Sequence, residues 1–290
     1  MGTTERAVIA GIVDDRVTIT VTDGIADVKM NRADKRNALD NAMFTSLSAA
    51  GEYLKTLDGL RVVVLSGDGA SFCAGLDFSS FAQMAEAGAK ASSSDAKPTM
   101  NAGAMVDGRI THMAQQVCWV WQEVPVPVIA AVHGHALGGG IQIALGCDMR
   151  IVHPDTQVSV REVHWGLIPD MTGTLMLSRL ARPDVVKDLI FTARVFSGRE
   201  AHEMGLVTRL SENVHADAMA LAREIAGRSP EAVRGAKKLI NLLANSGAAE
   251  QFAAERMTIG QLIGSANQAE AVMSHFEKRP PNFVSGGLFR

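Results

Sequence analysis

Ile129 to Met149 reads IAAVHGHALGGGIQIALGCDM: an apolar run, a triple glycine, then a second apolar run. Val-Ile-Ala-Ala-Val up to Val132 has no polar break, as suits a strand buried on both faces. The second run, from Gly138-Gly-Gly140 to about Gly146, predicts a helix. Three consecutive glycines at a helix start cost backbone entropy. In return a ligand can approach free N–H groups at a helix N-terminus, where the dipole favours negative charge. Such a turn suits an anion or a developing oxyanion. A dinucleotide loop needs G-x-G-x-x-G with an acidic residue about 20 positions on, and Gly134, Gly138, Gly139 and Gly140 do not fit it. No Gly-Lys-Ser/Thr follows, which excludes a P-loop. Tight helix–strand packing with no ligand is the other reading of the same glycines.

A second loop, Ser71-Phe-Cys-Ala-Gly-Leu-Asp77, follows the apolar run Arg61-Val-Val-Val-Leu65 and Gly67-Asp-Gly69. Gly75 can take a left-handed conformation that presents the Leu76 N–H to a pocket. Asp77 can cap a helix that follows. Elsewhere, VTITVT up to Thr22, the Asp23-Gly24 turn and Ile25–Met30 predict a hairpin. Apolar spacing through Leu39, Met43, Leu47, Ala50 and Leu54 predicts a helix over 37–57. Residues 85–108 are rich in Ala, Ser, Gly and Lys without a period, and read as a mobile surface segment over a pocket. Helical character returns over 106–123 and 171–180, with short strands expected at 149–152 and 157–160. Strands and helices thus alternate to about Val207, which predicts α/β architecture with parallel strands. From 211 onward only helices are expected: 215–228, 230–245, 248–263 and 267–278. Asp148 and Arg150 are expected to form an ion pair or a loop anchor, since a buried acid needs a partner.

With 290 residues, the chain is long enough for one large core without staples. A net charge of −3 gives no basis for binding nucleic acid or an anionic membrane. Cys73, Cys118 and Cys147 match no metal spacing and predict a reducing, cytoplasmic setting. The first residues read as neither a signal nor a transit peptide. No apolar run reaches the roughly 20 residues of a membrane span.

Taken together, the two loops closely resemble those of the crotonase (enoyl-CoA hydratase/isomerase) superfamily. The matching residues are Ile129-Ala130, Val132-His133-Gly134, Gly138–Gly140, Ile143–Leu145 and Cys147-Asp148, with Ala74-Gly75-Leu76-Asp77 in the second loop. Further family-like stretches are Asn31-Arg32, Asn37-Ala38-Leu39, Phe196–Ala201, Gly205-Leu206-Val207, Phe276–Arg279 and Pro281-Asn-Phe283. The resemblance implies a spiral of ββα units over 1–207 carrying an acyl-CoA site, and a C-terminal helical trimerisation region over 208–290. It implies that the amides of Leu76 and Gly139 grip a thioester oxygen. Loss of an α- or γ-proton from an acyl-CoA puts charge on that oxygen, where aimed N–H donors stabilise it.

The same resemblance assigns the proton chemistry. Family hydratases carry two glutamates; here those positions hold Gln142 and Glu162. A glutamine accepts no proton at ordinary pH, so Gln142 can only orient water or hold Glu162. Glu162 alone suffices as a base that removes a proton and returns it to another carbon. Asp170 matches an acidic partner of the glutamate in dienoyl-CoA isomerases, although those enzymes also have an aspartate where Gln142 stands. As a Pro-Asp pair, it equally suits a turn or cap. His164 and Trp165 flank the site, His164 as a wall or solvated residue; His133 and His135 need be no more than turn residues.

Lys35 and Arg36 can meet CoA phosphates, with Ala38, Ala74, Asp77 and Phe78 around the nucleotide and Lys278 reaching a neighbour's CoA. That last contact implies a homotrimer or a dimer of trimers. Ser79 stands where many relatives have a lysine. Phe78, Phe81, Met84, Met105, Met113, Trp119, Trp121 and Trp165 are candidates for an apolar acyl tunnel. No cofactor beyond the substrate's CoA and no metal is expected. The resulting expectation is an enoyl- or dienoyl-CoA double-bond isomerase, with a 2-enoyl-CoA hydratase and a non-catalytic CoA- or RNA-binding member as rivals.

Overall fold

The computed structural model describes residues 5–6, 11–77, 105–243 and 265–284. The expected segment 85–108 lies mostly outside these, as do Phe78, Phe81, Met84 and the helix expected over 248–263.

The chain opens with β1 (Glu5–Arg6), β2 (Val17–Thr22) and β3 (Ile25–Met30), paired antiparallel. Thr22 faces Ile25 in register, so the β2–β3 turn is Asp23-Gly24 alone. Both turn residues have positive φ (52° and 76°), the two-residue turn that matches strand twist. After α1 (Asn41–Thr56) come β4 (Val62–Gly67), α2 (Met113–Glu123), β5 (Val128–Val132) and β6 (His135–Leu137). The glycine turn then opens α3 (Gly139–Gly146), followed by β7 (Met149–Val152) and β8 (Gln157–Ser159). Next are α4 (Gly173–Leu180), α5 (Pro183–Thr192), β9 (Phe196–Ser197), α6 (Gly198–Glu203) and β10 (Arg209–Leu210). The helices α7 (Val214–Ala226), α8 (Pro230–Leu243) and α9 (Ala266–Glu277) complete the described chain.

One sheet runs β1-β2-β3-β4-β5-β7-β10, parallel from β3 onward; β6, β8 and β9 form a second sheet. Continuous apolar runs arise because both faces of the parallel strands are covered. Val63 and Leu65 join a large core with α1, α2 and α3, whereas Val62 and Val64 pack under Val214, Ala218 and Leu221 of α7.

Two expectations need correction, and a third resolves to the second of its two readings. The helix expected from 37 begins at Asn41, capped by Asp40, whose carboxylate accepts the Met43 N–H at 2.8 Å. Residues 37–39 are used otherwise: Asn37 turns left-handed, and Leu39 pairs with the loop at Leu76. Residues 106–112 are not helical, because Met105 bridges His112 and the side chain of His112 caps α2. Asp148 and Arg150 are separate anchors. The Arg150 guanidinium donates to the carbonyls of Leu206 (2.7 Å) and Cys147 (2.8 Å).

Asp148 instead accepts from the Val128 N–H and pairs with Lys237 of α8, each at 2.7 Å. The buried Lys237 ammonium also donates to Trp121 O (2.9 Å) and Val126 O (3.0 Å). Lys237→Met removes the partner of a half-buried carboxylate and orphans two carbonyls. It should cost about 3 kcal/mol of stability, read as a lower urea midpoint with an unchanged slope.

Candidate active site

The two glycine loops meet through a strand-like ladder. Cys73 and Ala136 form a parallel bridge: the Cys73 N–H donates to His135 O (2.9 Å), and the Leu137 N–H to Cys73 O (3.1 Å). Leu76 lies three residues beyond Cys73, and Gly139 three beyond Ala136 at the start of α3. The two loops stay close as far as Gly75, where an added Cβ would lie 2.6 Å from Leu137 O and 3.9 Å from Gly138 N. Leu39 ties down the outer side of the loop. Its N–H donates to Gly75 O (2.8 Å), and its carbonyl accepts from the Asp77 N–H (3.0 Å). That pattern turns the N–H of Leu76 away from Leu39. Gly139 is the first residue of α3 and has no intrahelical acceptor. Neither N–H donates to a carbonyl of the described residues.

Glu162 opens a 3-10 turn, Glu162–Trp165, after β8. Its carboxylate lies against the glycine turn: a Cβ on Gly138 would stand 3.3 Å from Glu162 Oε1. Gln142, buried on α3, donates from Nε2 to that oxygen at 2.5 Å. The amide orientation of Gln142 is fixed by its other end. Oε1 accepts the N–H groups of Met171 (3.0 Å) and Gly173 (2.9 Å). Oε2 of Glu162 is buried and has no partner among the described residues. Burial raises the pKa of Glu162 above its ordinary value, and the charge of Asp170 adds to this; hydrogen bonds from its own main chain and from Gln142 oppose them.

An open cleft of about 350 Å³ has apolar lining from Ile110, Trp119, Ile168 and Leu175 and polar lining that includes Thr111, Gln115, Asp170, Thr172 and Thr174. Of the residues expected to form an acyl tunnel, Trp119 lines this cleft. Trp121 is fully buried core, and Trp165 and Met105 are exposed. The exposed His164 packs edge-on against Trp165. His135 bonds the buried Ser71 hydroxyl through Nδ1 at 2.9 Å, and His133 Nε2 meets Gly69 O at 2.9 Å. Both therefore fasten the loop. Burial pushes the Cys73 and Cys147 thiols up to about 12, which removes them as nucleophiles. Among the described residues no group of His, Cys, Asp or Glu is placed to hold a metal ion, and no helix is long and apolar enough to cross a membrane.

Lys35 and Arg36 are exposed on a 3-10 turn, and Arg36 O accepts the Ala74 N–H at 2.9 Å, which joins this turn to the loop. Two residues to which the sequence alone assigns no role do the joining. Arg32 donates to Ala38 O (3.0 Å) and to Asp77 (2.5 Å), and Asn37 donates to Asp68 O (3.0 Å) and Ser71 O (2.8 Å). Asp77 thus pairs with Arg32, while any helix it caps lies outside the described residues. Arg32 and Asn37 sit in family-like stretches, but partners 31 to 45 positions away leave no local signal. Lys278 is exposed after α9, and no described contact joins it to these residues.

This is the layout of an α/β fold whose two glycine loops pack against each other, with the Glu162 carboxylate against the triple-glycine turn. The family model for Enoyl-CoA hydratase/isomerase matches residues 20–286, and the chain belongs to that family. It is 35% identical over 268 residues to human enoyl-CoA hydratase domain-containing protein 2, mitochondrial, covering 90% of this chain and 86% of that one. It is 33% identical to human methylglutaconyl-CoA hydratase, mitochondrial, over 90% of this chain and 74% of the other. A crystal structure of enoyl-CoA hydratase from Bacillus anthracis superposes with a TM-score of 0.82 at 28% identity, covering 94% of this chain and all of that one. The fold is therefore the crotonase fold, with helices at the C-terminal end.

Proposed function

We propose that this chain moves a carbon–carbon double bond within an enoyl- or dienoyl-CoA. The N–H groups of Leu76 and Gly139 hold the thioester oxygen. Glu162 takes a proton from the α- or γ-carbon, negative charge moves onto that oxygen, and the Glu162 carboxylic acid returns the proton at the other carbon. No water is consumed and no cofactor is needed beyond the CoA of the substrate. For a dienoyl chain, Asp170 offers a second proton site further along. Lys35, Arg36, Ala38, Ala74, Asp77 and Phe78 take the CoA portion, with Lys278 serving a neighbouring subunit in a trimer or dimer of trimers. In this reading the catalytic core ends near Val207 and the helices from 208 onward serve assembly.

The observation that carries the isomerase reading is the use of Gln142 as a clamp on Glu162. Two main-chain N–H groups occupy its oxygen and its nitrogen donates to Glu162, so the residue beside Glu162 on α3 supplies no second carboxylate. Hydration of a 2-enoyl-CoA, with Glu162 alone activating water, is the second reading, favoured by the names of the relatives. Purified protein given 3-enoyl-, 3,5-dienoyl- and 2-enoyl-CoA in turn should shift the double bond in the first or second faster than it hydrates the third. Fast hydration with no bond shift would reverse this order of preference, and binding without turnover of any would favour a non-catalytic CoA protein.

A further inference from the structure

Leu39 and Leu76 form a parallel bridge, and Leu39 holds the peptide groups on both sides of Leu76 through Gly75 O and the Asp77 N–H. Arg32 fastens this short ladder from outside it. Its Nη1 donates to Ala38 O at 3.0 Å and to the Asp77 carboxylate at 2.5 Å, so one guanidinium reaches the residue before Leu39 and the residue after Leu76. Arg32 is itself fixed at its main chain. Its N–H donates to Asn37 Oδ1 (2.8 Å), its carbonyl accepts the Asn37 N–H (2.9 Å), and Asn37 is fully buried.

The Arg32 and Asp77 side chains keep only 14% and 13% of their exposure, so water screens the pair weakly. Without the guanidinium, the Asp77 carboxylate loses the cation that offsets it, and turning out to water costs less than staying charged where it is. That turn draws the Asp77 N–H from Leu39 O, and the Leu76 amide beside it loses its aim. Glu162 depends on none of these contacts, since it is held by Gln142. Nor is Arg32 disposed to meet a CoA phosphate as Lys35 and Arg36 are. Its guanidinium faces the carboxylates of Asp77 and, at 3.5 Å, Asp40, which would repel an anion.

We propose that Arg32 is a positioning residue that aims the Leu76 amide at the thioester oxygen by clasping Asp77 against the segment 38–40. This rests on the reading above, in which Leu76 and Gly139 hold that oxygen, and it adds the residue that sets one of the two donors.

The test uses 4-dimethylaminocinnamoyl-CoA, a conjugated thioester with no proton on its γ-carbon and so no double-bond shift to undergo. Its absorption moves to longer wavelength when N–H groups polarise the thioester carbonyl. The parent should show this red shift on binding, and Arg32→Met should keep about half of it or less. With 3-enoyl-CoA, Arg32→Met should lower kcat about 10- to 100-fold and hold KM within about threefold. The pH midpoint of kcat/KM should not move, because Glu162 is untouched. Arg32→Lys keeps the charge but not the planar fork, and should fall between the two in red shift and in kcat. Lys237→Met, destabilised elsewhere, should keep the parental red shift and kcat. A full red shift with parental kcat in Arg32→Met, or in Arg32→Lys should the methionine variant not fold, overturns the clasp. So does a raised KM with kcat intact, which would make Arg32 a CoA contact. If the parent itself binds the thioester with no red shift, the grip of Leu76 and Gly139 on the oxygen falls first and takes the role of Arg32 with it.

Discussion

Glu162→Gln should lower kcat by about 10³-fold while leaving the affinity for a substrate analogue within about twofold, because the change removes a proton acceptor and keeps its shape. The carbonyl oxygen of the introduced amide can still accept from Gln142 Nε2, as Glu162 Oε1 does at 2.5 Å in the parent. What disappears is the unpartnered Oε2. The pH profile gives an independent readout. Burial, then the charge of Asp170, hold the Glu162 pKa above the ordinary glutamate value. The acid form is inactive as a base, so kcat/KM should rise with pH through a midpoint above that value and then level off. The variant should lose this limb. Stability should move the other way. A carboxyl group whose folded pKa is raised binds its proton more tightly in the folded state, so the folded state loses stability as pH rises through the unfolded and then the folded pKa. At neutral pH the parent bears this cost and the glutamine variant does not. Its melting temperature should therefore equal or exceed that of the parent. A variant that retains full turnover would remove Glu162 from the chemistry.

How far this site could be read in advance depends on the range of each interaction. The β2–β3 hairpin is written in consecutive residues, VTITVT then Asp23-Gly24, and it forms in that register. The buried strand Val62–Gly67 and the glycine turn before α3 are equally local. The three-residue strand β6 is not, since its identity comes only from pairing with β8 and bridging Cys73. Apolar spacing at Leu39 suggests a helix, but the ladder with Gly75 and Asp77 takes that backbone instead. The chemistry of its amide excludes Gln142 as a base, yet its use as a clamp depends on Met171 and Gly173, about thirty residues away. Lys237 finds Asp148 across still more chain, and so Arg150 is left to bind carbonyls. The φ of 68° at Thr172 has no sequence signature at all, because threonine ordinarily avoids the left-handed region.

Gly75→Ala should reduce kcat by about 10²- to 10³-fold, the effect of losing one of two donors to a developing oxyanion. Gly75 sits at φ 91°, where a side chain is strained, and an added Cβ would lie 2.6 Å from Leu137 O. That oxygen belongs to the main chain of β6 and cannot swing aside, because the ladder through Cys73, His135 and Leu137 fixes it. The loop must move instead, and Gly75 O, which accepts from Leu39, moves with it. The next N–H along is that of Leu76. A shift there separates it from Gly139 while Glu162 and Gln142 remain in place, so proton transfer loses its charge stabilisation and keeps its base. The substitution should also cost about 2 kcal/mol of stability from backbone strain, and this needs a control. Gly108 has a similar φ of 70°, and a Cβ there would meet nothing within 4 Å. Gly108→Ala should therefore show the strain cost alone, with kcat close to that of the parent. If Gly75→Ala folds, melts like Gly108→Ala and turns over at the parental rate, the two amides do not act on a common oxygen.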